Sequence, residues 1–136
     1  MPKFSQSSKG KLETCHDDLQ TLFNYVIESF DCTIVCGHRT KEAQDTAFKK
    51  RYSKVKFPYS KHNSLPSMAA DVIPWPIVWD DHDRMRYFAG YVMGIACMLK
   101  KAGAIEHNIR WGGDWDMDTE LSDNTFMDLP HFELKI

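Results

Sequence analysis

The sequence predicts an α+β domain in which helices pack against a small, mostly antiparallel sheet. Two observations carry that expectation. Two long segments repeat apolar residues at the helical period, and around them stand short apolar or β-branched runs bounded by Gly, Pro or Asp. At 136 residues the chain is expected to be a single domain, 1–136, able to bury a core without disulfide staples.

The elements follow in order. Residues 1–10 are polar and rich in Ser and Lys, an extended lead-in. A helix is expected from Lys11, because Leu19, Leu22, Phe23, Val26, Ile27 and Phe30 form one stripe at helical spacing. Asp31 and Cys32 end it. Thr33-Ile34-Val35-Cys36 reads as a short buried strand. Gly37-His38-Arg39-Thr40 is a tight exit, with the Thr40 hydroxyl placed to cap a helix of about Lys41 to Arg51. Ala43, Ala47 and Phe48 would face inward from it. A charged and aromatic loop, 52–59, leads to Ser60, and Pro66 keeps the His62 segment from being helical throughout. Met68 to Ile73 reads as a strand, stopped by Pro74-Trp75-Pro76. Asp80 or Asp81 caps a second long helix whose stripe is Met85, Phe88, Val92, Ile95, Ala96 and Leu99, with Gly103 as its stop. Ile109-Arg110-Trp111 is a short strand broken by Gly112-Gly113. An acidic loop from Asp114 to Asp123 follows, and Phe126-Met127 leads into a last strand, His131 to Leu134.

Composition excludes several functions. A net charge of -2 offers no basic excess to hold a phosphate backbone, so nucleic acid is not an expected partner. No window reaches the ~18 apolar residues of a membrane span, and the first residues lack the apolar run of a secretory signal. A monomer made in the cytoplasm is expected. Cys15, Cys32, Cys36 and Cys97 lack the paired spacing of a zinc finger, and they read as free, mostly buried thiols.

The chemistry concentrates in two stretches. Asp71 interrupts the apolar run Ala69-Ala70-Asp71-Val72-Ile73, where an unpaired carboxylate is costly to bury and a metal ion would remove that cost. His62 stands in the loop before it, and His131 follows Pro130, which holds Leu129 extended. His62, Asp71 and His131 are a plausible three-ligand set for one zinc ion with a fourth position left to water, and Asp128 is available as a base. In a regular strand Asp128 and His131 face opposite ways, so a turn at Leu129-Pro130 is needed to bring them together. Among the other histidines, His16 and His82 read as solvated and His107 as a loop residue. His38 either lines the cleft or packs.

Taken in order, Gly37-His38-Arg39-Thr40 with Gln44, Ser60-x-His62 … Ala70-Asp71-Val72, Trp111-Gly112-Gly113-Asp114-Trp115 and Asp128-x-Pro130-His131-Phe132-Glu133 form a recognisable set. The set resembles the zinc peptidases that cut peptidoglycan stem peptides: the D-alanyl-D-alanine carboxypeptidases together with the L-alanyl-D-glutamate endopeptidases that bacteriophages use as endolysins. The likeness covers roughly residues 10 to 136, and it implies the hedgehog-like fold of that group. It implies Zn2+ as cofactor on His62, Asp71 and His131, with Asp128 as general base. It also implies that Arg39 binds a substrate carboxylate or the developing oxyanion. Ser60, Gln44, Trp111, Asp114 and Trp115 would stand on the substrate side, with Trp75 beside them. For Trp75 and Trp111 core packing is the competing role, and for Arg39 a structural salt bridge. One departure stands out: His62 and Asp71 are nine residues apart, two more than is usual in the family, which points to a bulge within Asn63 to Ser67.

The implied function is hydrolysis of a peptidoglycan stem peptide at the L-alanyl-D-glutamate bond by a phage lysin. Such a lysin reaches the periplasmic side of the wall once the membrane has been permeabilised. The rivals are a D,D-carboxypeptidase releasing terminal D-alanine and a non-catalytic zinc domain that binds the wall.

Overall fold

The computed structural model describes residues 1–122 and 127–136. Asp123, the end of the expected acidic loop, and Phe126, in the approach to the last strand, lie outside the described residues. The elements are α1 (Gln6–Leu12), α2 (Asp17–Val26), β1 (Cys32–Cys36), α3 (Lys41–Lys49), β2 (Ala69–Pro74), α4 (His82–Lys101), β3 (Asn108–Trp111) and β4 (His131–Lys135), with a 3-10 turn at Lys61–Asn63. The strands form one sheet in the order β1-β2-β4-β3, and every pairing is antiparallel. The α+β expectation therefore holds.

Strand alternation divides the sheet into two unlike faces. Ile34, Ala70, Val72, Ile109, Trp111, Phe132 and Leu134 are buried in the apolar core beneath α2 and α4. Phe132 is its centre, with the rings of Phe23 and Phe88 edge-on at 5.5 and 6.3 Å. The intervening residues Asp71, Arg110, His131 and Glu133 line the cavity on the opposite face. Registry sets them in rows: Asp71 lies opposite His131, and Arg110 opposite Glu133.

Four expectations are corrected. The lead-in is not extended, because Ser5 accepts from Ser8 N and caps α1, whose Ser8 hydroxyl in turn accepts from Ile34 N of β1 at 3.1 Å. The first long helix does not start at Lys11. The chain breaks at residues 13–16 and restarts when His16 Nδ1 accepts from Asp18 N at 3.0 Å, so His16 is a helix cap. In α3 the buried residue is Gln44, while Ala43 is exposed and Ala47 and Phe48 are half-buried. Trp111 belongs to the core, its indole donating to Leu129 O at 2.7 Å.

His107 is also more than a loop residue. Asp18 Oδ2 accepts from His107 Nδ1 at 2.7 Å and from the backbone N–H groups of Glu106 and His107 at 3.0 Å each. Burial pushes the Asp18 carboxyl up, but those hydrogen bonds, led by that of His107, outweigh it and hold the group below its usual range. Asp18→Ala leaves two backbone donors without partners and is expected to destabilise the fold by about 2–4 kcal/mol at pH 7. Because the folded pKa is depressed, this stabilisation is present above about pH 4 and fades as pH falls through the folded value. Urea melts at pH 7 and pH 3 check it: the gap between parent and variant should narrow in acid.

Candidate metal centre

Asp71 and His131 reach one point because β2 and β4 pair them directly. His62 arrives from the 3-10 turn, which is built by local hydrogen bonds. Ser60 Oγ accepts from His62 N at 3.2 Å, and Asn63 Oδ1 accepts from Ser60 N at 3.0 Å. Met68 N donates to Lys61 O at 2.9 Å, closing the loop behind the turn. Between that turn and β2, Ser64-Leu65-Pro66 are exposed, within the Asn63-to-Ser67 stretch where the longer spacing is expected to bulge. Three atoms converge: His62 Nε2 lies 3.2 Å from Asp71 Oδ1 and 3.3 Å from His131 Nδ1, which is itself 3.2 Å from Asp71 Oδ1. Both histidines are buried, and Asp71 is half-buried. This triangle can hold a metal ion.

Each histidine is also held from behind. His62 Nδ1 donates to Gly37 O at 2.7 Å, with Cys36 Sγ 3.8 Å away. His131 Nε2 lies 2.8 Å from Glu133 Oε1. The turn at Leu129-Pro130 is present, closed by His131 N donating to Asp128 O at 3.1 Å, and it brings Asp128 Oδ2 to 4.0 Å from His131 Nδ1.

The charges are strongly coupled. Burial opposes a charge on His62, but the Asp71 carboxylate outweighs it and raises the imidazole to about 10. His131 is raised to about 9 against the same desolvation, by its hydrogen bonds to Asp71 and Glu133. Asp71 would be driven up by burial, yet the two histidines hold it far below the usual carboxylate range. A positive charge at this point, from protons or a cation, is what keeps that carboxylate ionised. Asp128 goes the other way: burial and the neighbouring Asp71 charge push it up to about 6. Glu133, despite burial, is brought down to about 2 by His131, Lys61 and Arg110.

The triangle opens into a cavity of about 940 Å³. Arg39, Ser60, Trp115 and Asp128 line it, as the sequence led one to expect. Arg39 Nη2 is 3.4 Å from Asp71 Oδ2, so it forms the salt bridge and faces the cavity at once. Three expected substrate-side residues do not line it. Gln44 is fully buried, and its Oε1 accepts from Arg39 Nη1 at 2.9 Å while its Nε2 donates to Val55 O at 2.7 Å; it braces Arg39. Trp111 is core, as above. Asp114 lies in the acidic loop, accepting from Thr119 N at 2.9 Å and gathered with Asp116 and Asp118. Trp75 is exposed but stands outside the cavity, and His38 likewise, its Nδ1 bonded to Ser64 O. The sequence reading missed Trp79, Tyr59 and Glu133, which do line it. Only Glu133 carried a signal, standing two residues after His131 and so on the same strand face.

If Arg39 grips a substrate carboxylate, Arg39→Ala should lower kcat/KM by about 10- to 100-fold, the worth of one or two charge-assisted hydrogen bonds, with most of the change in KM; if it meets the oxyanion instead, the loss should fall on kcat. Arg39→Lys should restore only part, since an ammonium lacks the guanidinium's two-pronged geometry. Steady-state kinetics checks both.

A comparison with curated proteins returns no match. Among solved structures the chain resembles the crystal structure of Serratia marcescens L-Ala D-Glu endopeptidase ChiX, with a TM-score of 0.73 and 22% identity over 98% of this chain and 90% of that one. At that identity the likeness establishes the fold. The sequence itself matches the phage L-alanyl-D-glutamate peptidase family over residues 1–135. A match across nearly the whole chain settles its kinship: this protein belongs to the phage L-alanyl-D-glutamate peptidase family, and it is an endolysin-type peptidase of peptidoglycan.

Proposed function

We propose that the chain is a zinc-dependent endopeptidase that cuts the L-alanyl-D-glutamate bond of peptidoglycan stem peptides, with His62, Asp71 and His131 as ligands. The observation that carries the proposal is the triangle of donor atoms. A tetrahedral zinc ion with bonds of about 2.0–2.1 Å needs ligand atoms about 3.3–3.4 Å apart, and the three edges here are 3.2, 3.2 and 3.3 Å. Two imidazoles and one carboxylate are a donor set that zinc takes readily, and three protein ligands leave one position for water.

Bound zinc would polarise the scissile carbonyl and lower the pKa of its water towards ~7. Asp128, half-buried beside His131, takes the proton of the attacking water on Oδ2 and returns it to the leaving amine. Its raised pKa, about 6, suits a group that must both accept and release a proton near neutrality. Arg39, braced by Gln44, grips a stem-peptide carboxylate or the oxyanion. Trp115 and Trp79 wall the cleft. The site of action is the cell wall, on its periplasmic side. None of the described helices is long and apolar enough to cross a membrane.

Two measurements test this. Metal analysis of the purified protein should find one zinc per chain, and chelation should abolish hydrolysis until zinc is restored. Digests of purified wall should show new D-glutamate amino termini after L-alanine. Free D-alanine instead would mark a carboxypeptidase, and unimpaired hydrolysis by zinc-free protein would end the metal reading.

A further inference from the structure

Glu133 has an unusual set of partners for a carboxylate only 5% exposed. Its Oε1 meets His131 Nε2 at 2.8 Å. Its Oε2 accepts from Arg110 Nη2 at 2.7 Å and Nε at 3.2 Å, and pairs with Lys61 Nζ at 3.0 Å. Lys61 immediately precedes His62 and also donates to Leu134 O, so the same carboxylate anchors the turn that carries the other histidine.

A carboxylate paired with two fixed cations only accepts hydrogen bonds, so the proton between it and His131 belongs to Nε2. The other nitrogen, Nδ1, is then the one that faces Asp71 Oδ1 and His62 Nε2, and it would offer its lone pair to a cation that displaces its proton. His62 is held in the reverse sense: its Nδ1 donates to the Gly37 carbonyl, and Nε2 points into the triangle. Trp115 packs on the His131 ring at a centroid distance of 5.4 Å, which resists a flip about Cβ–Cγ that would put Cδ2 where Nδ1 stands and turn Nδ1 away from the triangle. We propose that Glu133 is a positioning residue that locks His131 as the Nε2–H tautomer, so that His131 offers Nδ1 to the metal while His62 offers Nε2. This inference rests on the zinc reading above and adds which atom of each ring is used.

The direct test is nitrogen NMR of 15N-histidine-labelled, zinc-loaded parent protein. His131 should show a protonated Nε2 and a metal-bound Nδ1, and His62 the opposite. His131 bound through Nε2 overturns the inference alone, whereas a parent that takes up no zinc removes the metal reading as well. Variants give a second readout, zinc affinity by competition with a chromophoric chelator. Glu133→Ala should weaken it about 10- to 100-fold, the usual effect of losing an outer partner of a metal-bound histidine. Glu133→Gln, whose amide oxygen can still accept from Nε2–H, should recover part of that loss. Arg110→Ala removes a cation from Glu133 but leaves the His131 contact, and it should stay near the parent. Parental affinity in Glu133→Ala, or an equal fall in Arg110→Ala, overturns the inference. If the Glu133 variants do not fold, the NMR result on the parent decides.

Discussion

Asp128→Asn is expected to bind zinc like the parent, keep its fold, and hydrolyse stem peptides about 10²- to 10⁴-fold more slowly, the usual contribution of a general base. The carboxylate is not one of the three triangle atoms; its Oδ2 stands 4.0 Å from His131 Nδ1. The backbone of Asp128 keeps its bonds in the variant, N to Gly112 O at 2.8 Å and O from His131 N at 3.1 Å. Only proton transfer is lost, since an amide cannot take the proton. A stability effect of defined sign accompanies it. Burial raises the folded pKa to about 6, so ionised Asp128 opposes folding increasingly as pH rises from about 4 through 6. Compared without metal, the Asn variant, free of that penalty, should therefore melt no lower than the parent at pH 7. The acid limb of the parent's pH–rate profile should also be missing from the variant's residual activity. A variant with near-parental turnover would remove Asp128 from the mechanism.

Much of the site was legible because chemistry contradicted its surroundings. A carboxylate inside Ala69-Ala70-Asp71-Val72-Ile73 needs a reason, and the structure supplies one in His62 and His131 at 3.2 Å each. The turn at Leu129-Pro130 followed from parity, because three residues along a strand reverse the face. Parity along a strand also places two residues that the spacing of motifs did not. Trp111 shares its face with Ile109, hence with the core, and Glu133 shares its face with His131. The fold class followed from two apolar stripes, but the break before α2 did not, since histidine is not among the usual caps and the apolar pattern runs on across it. Gln44 was misplaced for a related reason. A buried amide is worth its desolvation only when every polar atom is satisfied, and its partners Arg39, Ser53, Val55 and Asn63 lie in three separate segments. Trp79 and Tyr59 stand in loops without periodicity, so nothing local assigned them to the cavity.

Gly112→Ala is expected to be the most damaging single methyl group near the site. A Cβ there would sit 2.0 Å from Asp128 O and 2.9 Å from Asp128 C, both backbone atoms that cannot rotate aside. The two segments are also tied at that point, Gly112 N donating to His131 O and Asp128 N to Gly112 O, each at 2.8 Å. Relieving the clash must move the turn that carries Asp128 and break or stretch those bonds. Overpacking costs about 1–3 kcal/mol and each hydrogen bond about 1 kcal/mol, so about 3–5 kcal/mol of stability should go. That is a large share of the roughly 5–15 kcal/mol that holds a typical domain. In molecules that remain folded at low temperature, a shift of about 1 Å in Asp128 should lower kcat about 10²-fold. Gly113→Ala separates the two effects. Its Cβ would strike the Trp111 ring at 2.3 Å, so it should unsettle the core while leaving the Asp128 backbone unstruck. Thermal melts should then show both variants destabilised, with kcat per folded molecule falling much further in Gly112→Ala. Equal kcat in the two would mean that the Gly112 contact does not seat the catalytic turn.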